Sequence, residues 1–234
     1  MEILFEDAAV CVAVKPADLL SEQTPDQSGF ADLVAARNPN GYVGVIHRLD
    51  RGVGGVMVYA REPRAAAKLS AAVQAREMKK VYLAIVHGEP SAPSGELRDL
   101  LFHDRIKNKT FVVDRERRGV KEAILTYETL GAIDHAEYGR LSLLRIELQT
   151  GRTHQIRVQF SSRGNPLLGD GKYGARDRCP IALFSHQLTF PHPRTGAPMF
   201  FSALPTGDVW DVFFCGGLLK KSPTPPKTFN AGKA

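Results

Sequence analysis

Two short clusters carry the residue types that chemistry needs. In VGVIHRLDRGVGG, residues 43–55, a single carboxylate, Asp50, lies between Arg48 and Arg51 and is followed by Gly52, Gly54 and Gly55. Nearby guanidiniums keep a carboxylate ionised, and glycines let a ligand or a second backbone come close. Such a carboxylate is either a structural ion pair or a poised nucleophile. The second cluster, TGRTHQIR at residues 150–157, brings Arg152, His154 and Arg157 to a strand-to-helix junction. The free N–H groups and positive dipole end of a helix there suit a phosphate or carboxylate. If the two loops meet, Asp50 and one of these arginines form a buried pair, because a buried carboxylate needs a partner.

Other chemistries find less support. The seven histidines show no i, i+4 helical pair and no supporting cysteine, so no metal site is expected. GVGG lacks the Lys-Ser/Thr ending of a phosphate loop and the full glycine spacing of a dinucleotide fold, and no G-x-S-x-G elbow is present. Cys11, Cys179 and Cys215 are odd in number and far apart, which argues for reduced packing residues.

These clusters must be held by a body rich in strands. ILFEDAAVCVAVKP reads as two short strands around a turn at Asp7 and Ala8, and KVYLAIVHG, VKEAILTYETL and RLSLLRIELQ as three more. EPRAAAKLSAAVQAREM reads as a helix with Pro63 in its first turn and Leu69 and Val73 on one face. THQIRVQFSSRG fits strand alternation as well as a helix, and its ends favour the helix, with Thr153 as N-cap and Gly164 as stop. Residues 1–215 are read as one mixed α/β body and residues 216–234, with four lysines and no acid, as a disordered tail.

Of the 234 residues, 43% are hydrophobic, enough for a core, and no apolar run is long enough to span a membrane. The N-terminus has acids where a signal peptide would be cationic, so a cytoplasmic protein is expected. The net charge of +6 and a pI near 9.3 favour a polyanionic partner. Residues 98–121 hold eight Lys/Arg against four acids, and form either a solvated loop or an RNA-facing arm.

HRLDRGVGGVMVYAR resembles the H-R-L-D-R-x-T-S-G-L-L-L-x-A signature of the RluA-type pseudouridine synthases. KKVYLAIVHG, ELQTGRTHQIRVQF and NPLLGDGKYG resemble three further motifs of that family in the same order, and KPADLL and LTFPHP extend the likeness to about Pro205. The resemblance implies an α+β fold, a mixed, mainly antiparallel β-sheet with flanking helices and loops. It implies an enzyme that isomerises particular uridines of tRNA or rRNA without a cofactor or metal. On it, Asp50 matches the catalytic aspartate, Tyr82 the active-site tyrosine, and Arg157 the basic residue paired with the aspartate. Arg48 matches an arginine that takes the place of the extruded base, and Arg51, Arg152, His154 and Lys172 are expected to bind RNA. A monomer without membrane contact is expected.

Three departures bear on what transfers. Val53 and Gly54 replace the usual Thr-Ser, which should loosen the loop; Gln159 and Phe184 stand where the family has histidines. The chain shows no match to the small N-terminal RNA-binding domain of many relatives, which points to a compact target such as a tRNA or hairpin loop. Two rivals stay open: an RNA-binding protein that has lost chemistry on the same scaffold, and an aspartate-dependent glycosidic hydrolase, which would want a second carboxylate near Asp50.

Overall fold

A computed structural model describes residues 1–214; the expected tail, and Cys215, lie outside the described residues. The elements run β1 (Glu2–Glu6), β2 (Val10–Lys15), α1 (Phe30–Ala35), β3 (Gly44–Val45), β4 (Gly54–Ala60), α2 (Pro63–Gln74), β5 (Lys79–His87), β6 (Ser94–Asp104), β7 (Lys109–Val113), β8 (Val120–His135), β9 (Gly139–Leu148), α3 (Gln155–Ser161), β10 (Leu183–Pro191), β11 (Pro198–Ser202) and α4 (Asp208–Phe214). One sheet orders its strands β1-β2-β4-β10-β5-β9-β8-β6-β7, with β3 added to β4 and β11 to β10. Every pairing is antiparallel except β4 with β10. This is the mixed, mainly antiparallel α+β architecture expected.

Alternation along the strands sorts the core onto the two faces of the sheet. On β4, Met57 and Tyr59 join one cluster with Phe30 of α1, Tyr82 of β5 and Ile156 and Phe160 of α3. Val56, Val58 and Ala60 join the opposite cluster with Leu69 of α2 and with Leu188 and Phe190 of β10. β4 is buried on both faces and reads as a continuous apolar run, GGVMVYA. The basic stretch at residues 98–121 is neither a loop nor unstructured: most of it forms the β6–β7 hairpin and the start of β8.

The short parallel contact between β4 and β10 explains the glycines after Asp50. Gly55 pairs with Ser185, Ser185 with Tyr82, and Tyr82 with Ile146, a row across four strands. Gly55 has φ +124°, and a Cβ there would fall onto the Ser185 backbone. Ser185 Oγ also donates to the Val56 carbonyl at 3.0 Å. Gly54 is buried against the Lys15 carbonyl. The Val53-Gly54 pair therefore does not loosen the chain; Gly54 begins a buried strand and Val53 is in the core.

A methyl group at position 55 must push two strands apart or force a left-handed residue to carry a Cβ. Gly55→Ala is expected to lower stability by roughly 3 kcal/mol in urea unfolding. An unchanged unfolding midpoint would show that the crossing tolerates a side chain.

Candidate active site

The loop carrying Asp50, residues 46–53, is pinned at nearly every residue. The Ser21 hydroxyl exchanges hydrogen bonds with Leu49, accepting from its N–H and donating to its carbonyl, both at 2.9 Å. His47 Nε2 accepts the Val58 N–H at 3.2 Å, and Val53 N–H donates back to the Asp50 carbonyl at 2.9 Å. Lys15 is fully buried and gives its ammonium to the carbonyls of Pro16, Leu19 and Arg51. Burial pushes its pKa down to about 8, against the pull of Asp18 and Asp50. The KPADLL segment thus braces the Asp50 loop from behind.

The two charged clusters do meet. Arg157, on the first turn of α3, donates from one terminal nitrogen to Asp50 Oδ2 at 2.7 Å. Its Nε and other terminal nitrogen grip Asp170 at 2.7 and 2.8 Å. Asp170 is fully buried, whereas the Asp50 side chain is 29% exposed. Burial would lower the Arg157 pKa, but the bonds to Asp170 and then Asp50 raise it above its usual value. Its guanidinium also lies 5.1 Å from the centre of the Tyr173 ring. Asp50 Oδ1 has no hydrogen-bond partner among the described residues.

His154 closes the site from the other side. It is in the left-handed region, φ +54°, and precedes α3, so the cap falls on His154 rather than on Thr153. The junction is closed by Gln155, whose Oε1 accepts the Arg152 N–H at 3.0 Å and the Thr150 hydroxyl at 2.8 Å. The anion expected at this helix start therefore finds the Arg152 amide already engaged. The His154 Nε2 lies 3.7 Å from Asp50 Oδ2, and Nδ1 lies 2.9 Å from the Tyr173 hydroxyl. That hydroxyl also accepts the Thr110 N–H at 2.8 Å, which ties the His154 ring to β7. Burial pushes the His154 pKa down to about 4, only partly opposed by Asp50.

A pocket of about 70 Å³ opens over Asp50, with Tyr82, Leu148, Ile156 and Leu183 as its apolar wall and Arg48, Arg152 and His154 at its polar side. Burial, and then the Asp50 charge, raise the Tyr82 pKa, so the phenol stays neutral. The exposed Arg48 pairs with Glu22 at 2.6 Å. Arg51 and Lys172 do not line the pocket; Arg51 Nε reaches the Asp18 carbonyl and Lys172 the Asn108 carbonyl. Among the described residues no group of three or more His, Cys, Asp or Glu is placed to hold a metal.

This geometry stands beside four likenesses. The sequence model of the RNA pseudouridylate synthase family matches residues 9–162. The chain belongs to that family. It is 33% identical over 235 residues to the ribosomal large subunit pseudouridine synthase D of Pseudomonas aeruginosa, covering 90% of this chain and 70% of the relative. It is 30% identical over 226 residues to an uncharacterized RNA pseudouridine synthase of Aquifex aeolicus, covering 86% of this chain and 68% of the relative. The fold matches human RNA pseudouridylate synthase domain containing 4, with a TM-score of 0.69 at 22% identity over 87% of this chain and 88% of that one. The RluA-type resemblance holds, and the pseudouridine synthase is an isomerase acting on RNA. No helix among the described residues is long and apolar enough to cross a membrane.

Asp170, Tyr173 and Lys15 were not singled out from sequence. The signal for Asp170 was present in NPLLGDGKYG, a lone acid among glycines, but its partner lies 13 residues away on α3. The second carboxylate that a hydrolase would want is present, yet both its oxygens bind Arg157 and it does not line the pocket.

Two outcomes follow from these charges. Asp170→Asn leaves the buried Arg157 short of a full counter-charge, and stability should fall by about 3 kcal/mol in urea unfolding; a loss below about 1 kcal/mol would show that Asp50 alone suffices. His47, His154 and His186 all have pKa values lowered by burial. The unfolded chain binds these protons near pH 6.5 and the folded chain only at lower pH, so stability is present above 6.5 and drains away as pH falls. Unfolding free energy should drop by about 2 kcal/mol or more from pH 7 to pH 5; a flat profile would contradict the burial of these rings.

Proposed function

We propose that Asp50 is the catalytic aspartate of this pseudouridine synthase, acting on a uridine whose base is turned out of its RNA into the pocket beside Tyr82. The observation that carries this reading is the half-held carboxylate: Oδ2 is fixed by Arg157 while Oδ1 has no partner and the side chain stays partly open. Asp170, by contrast, gives both its oxygens to Arg157 and is closed to solvent.

The reaction exchanges bonds without needing a co-reactant. The bond from uracil N1 to the ribose carbon breaks, the base turns, C5 joins the same carbon, and the C5 proton is lost while N1 gains one. A carboxylate kept ionised by Arg157 acts as nucleophile or base in that sequence. Tyr82, neutral and in the apolar wall, stacks on the base, and His154 faces the same Asp50 oxygen that Arg157 holds. Arg48, at the pocket mouth, fills the space that the extruded base leaves. Turning a base out costs a few kcal/mol, and stacking returns about 1–3. Net affinity then rests on phosphate contacts, for which Arg51, Arg152 and Lys172 are the nearby cations. The target is a uridine in a compact structured RNA, a tRNA or an rRNA segment, met by the enzyme as a monomer in the cytoplasm.

Asp50→Asn keeps the volume and the Arg157 contact but removes the charge. Tritium release from RNA labelled at uridine C5, assayed separately on tRNA and rRNA transcripts, should fall by ~10³-fold or more while RNA binding and folding persist. Wild-type activity in the variant would remove Asp50 from the chemistry, and free uracil among wild-type products would favour the hydrolase.

A further inference from the structure

A second, larger pocket lies beside the Asp50 pocket and shares Arg152 with it, but has no role of its own in the reading above. Its volume is about 290 Å³, against about 70 Å³ over Asp50, near the lower edge of the sizes at which proteins hold small ligands. The β6–β7 hairpin contributes His103, Arg105 and Thr110, the start of β8 contributes Lys121, and the loop before α3 contributes Arg152 and Thr153.

Its charge is one-sided. No carboxylate lines it. Arg98, Arg140, Arg163 and Arg194 each hold an acid at 2.9 Å or less, but Arg105, Lys121 and Arg152 have no salt bridge among the described residues. The acids next to them in sequence are engaged elsewhere. Asp104 accepts the amides of Ile106 and Lys107 within its own turn, and Glu122 pairs with Arg98 at 2.7 Å. Arg152 is tied only through Nε, to the Glu122 carbonyl, which leaves its terminal nitrogens available. Thr110 keeps the walls in place: its hydroxyl donates to the Thr153 carbonyl at 2.8 Å and bonds His103 Nδ1 at 3.1 Å. Three cations converging on a preformed concavity are the arrangement that phosphates select. Arg152 lines both pockets, so a chain of phosphodiesters crossing it runs from one into the other.

We propose that this pocket is a second nucleotide subsite, which holds a neighbour of the target uridine with its phosphates on Arg105, Lys121 and Arg152. It rests on the reading of RNA as substrate and adds where the strand goes after the target.

The test is the binding of fluorescein-labelled octauridylate by anisotropy across a salt series. Three proteins are compared: the wild type, Arg105→Ala/Lys121→Ala, and a control, Arg64→Ala/Lys68→Ala, which removes the same charge from the exposed side of α2. The pocket variant should bind about tenfold more weakly at ~0.1 M salt, with a salt slope shallower by about 1.4, the value for two single-strand phosphates. The control should stay within about twofold of wild type. Unchanged binding in the pocket variant, or an equal loss in the control, would overturn the subsite. Pseudouridine formed in total RNA, read by nucleoside mass spectrometry on the same preparations, separates this from the reaction. A wild type that makes none defeats the isomerase assignment and leaves octauridylate binding to judge the pocket. A pocket variant as efficient as wild type defeats the subsite alone.

Discussion

The buried guanidinium of Arg157 is the constraint on which the rest of the site depends. A cation taken out of water is tolerable only with close counter-charge, and this one takes two carboxylates of unequal freedom. Asp170 neutralises it with both oxygens from within the core, so the guanidinium plane is fixed before Asp50 is considered. One terminal nitrogen then remains to orient Asp50. A single contact leaves one Asp50 oxygen open, whereas Asp170 has both of its oxygens engaged.

The sheet supplies the rigidity that such aiming requires. Asp50 sits a few residues before β4, a strand covered on both faces, and Tyr82 sits on β5, with β10 between them. Because β10 runs parallel to β4 and antiparallel to β5, Ser185 forms a bridge from Gly55 to Tyr82. Tyr82 is thereby fixed by the strand ladder, while Asp50, on the loop before β4, is held by that loop's own hydrogen bonds and by Arg157. The buried Lys15 ties its own turn through the Pro16 and Leu19 carbonyls and reaches the Asp50 loop through the Arg51 carbonyl at 3.3 Å.

The sequence carried the chemistry further than the topology. The types in HRLDR and TGRTHQIR led to the expectation of an Asp50–arginine pair if the two loops met, and the family resemblance pointed to Arg157 as the partner; the two loops do meet. Strands β2, β5, β8 and β9 were legible as runs of β-branched and apolar residues; β4 was not singled out, because it begins in the glycines of the Asp50 cluster. Thr153 looked like the cap by composition, but Gln155 outcompeted it by reaching back to the Arg152 amide, a contact that depends on the left-handed turn at His154. Asp170 was hidden for a different reason. Its meaning lies entirely in a partner on another element, and no local rule distinguishes it from a turn aspartate. The glycines after Asp50 were read correctly as permitting a close approach, yet what approaches is the chain's own β10 and not a ligand.

The parallel seam between β4 and β10 has a consequence for biosynthesis. The Asp50–Arg157 contact closes a loop of 107 residues, and the Ser185–Val56 bond closes one of 129. Contacts of such sequence separation form late, after local hairpins such as β6–β7. A nascent chain that has released its HRLDR motif from the ribosome therefore carries an aspartate with nothing to aim it until nearly the whole described body has emerged.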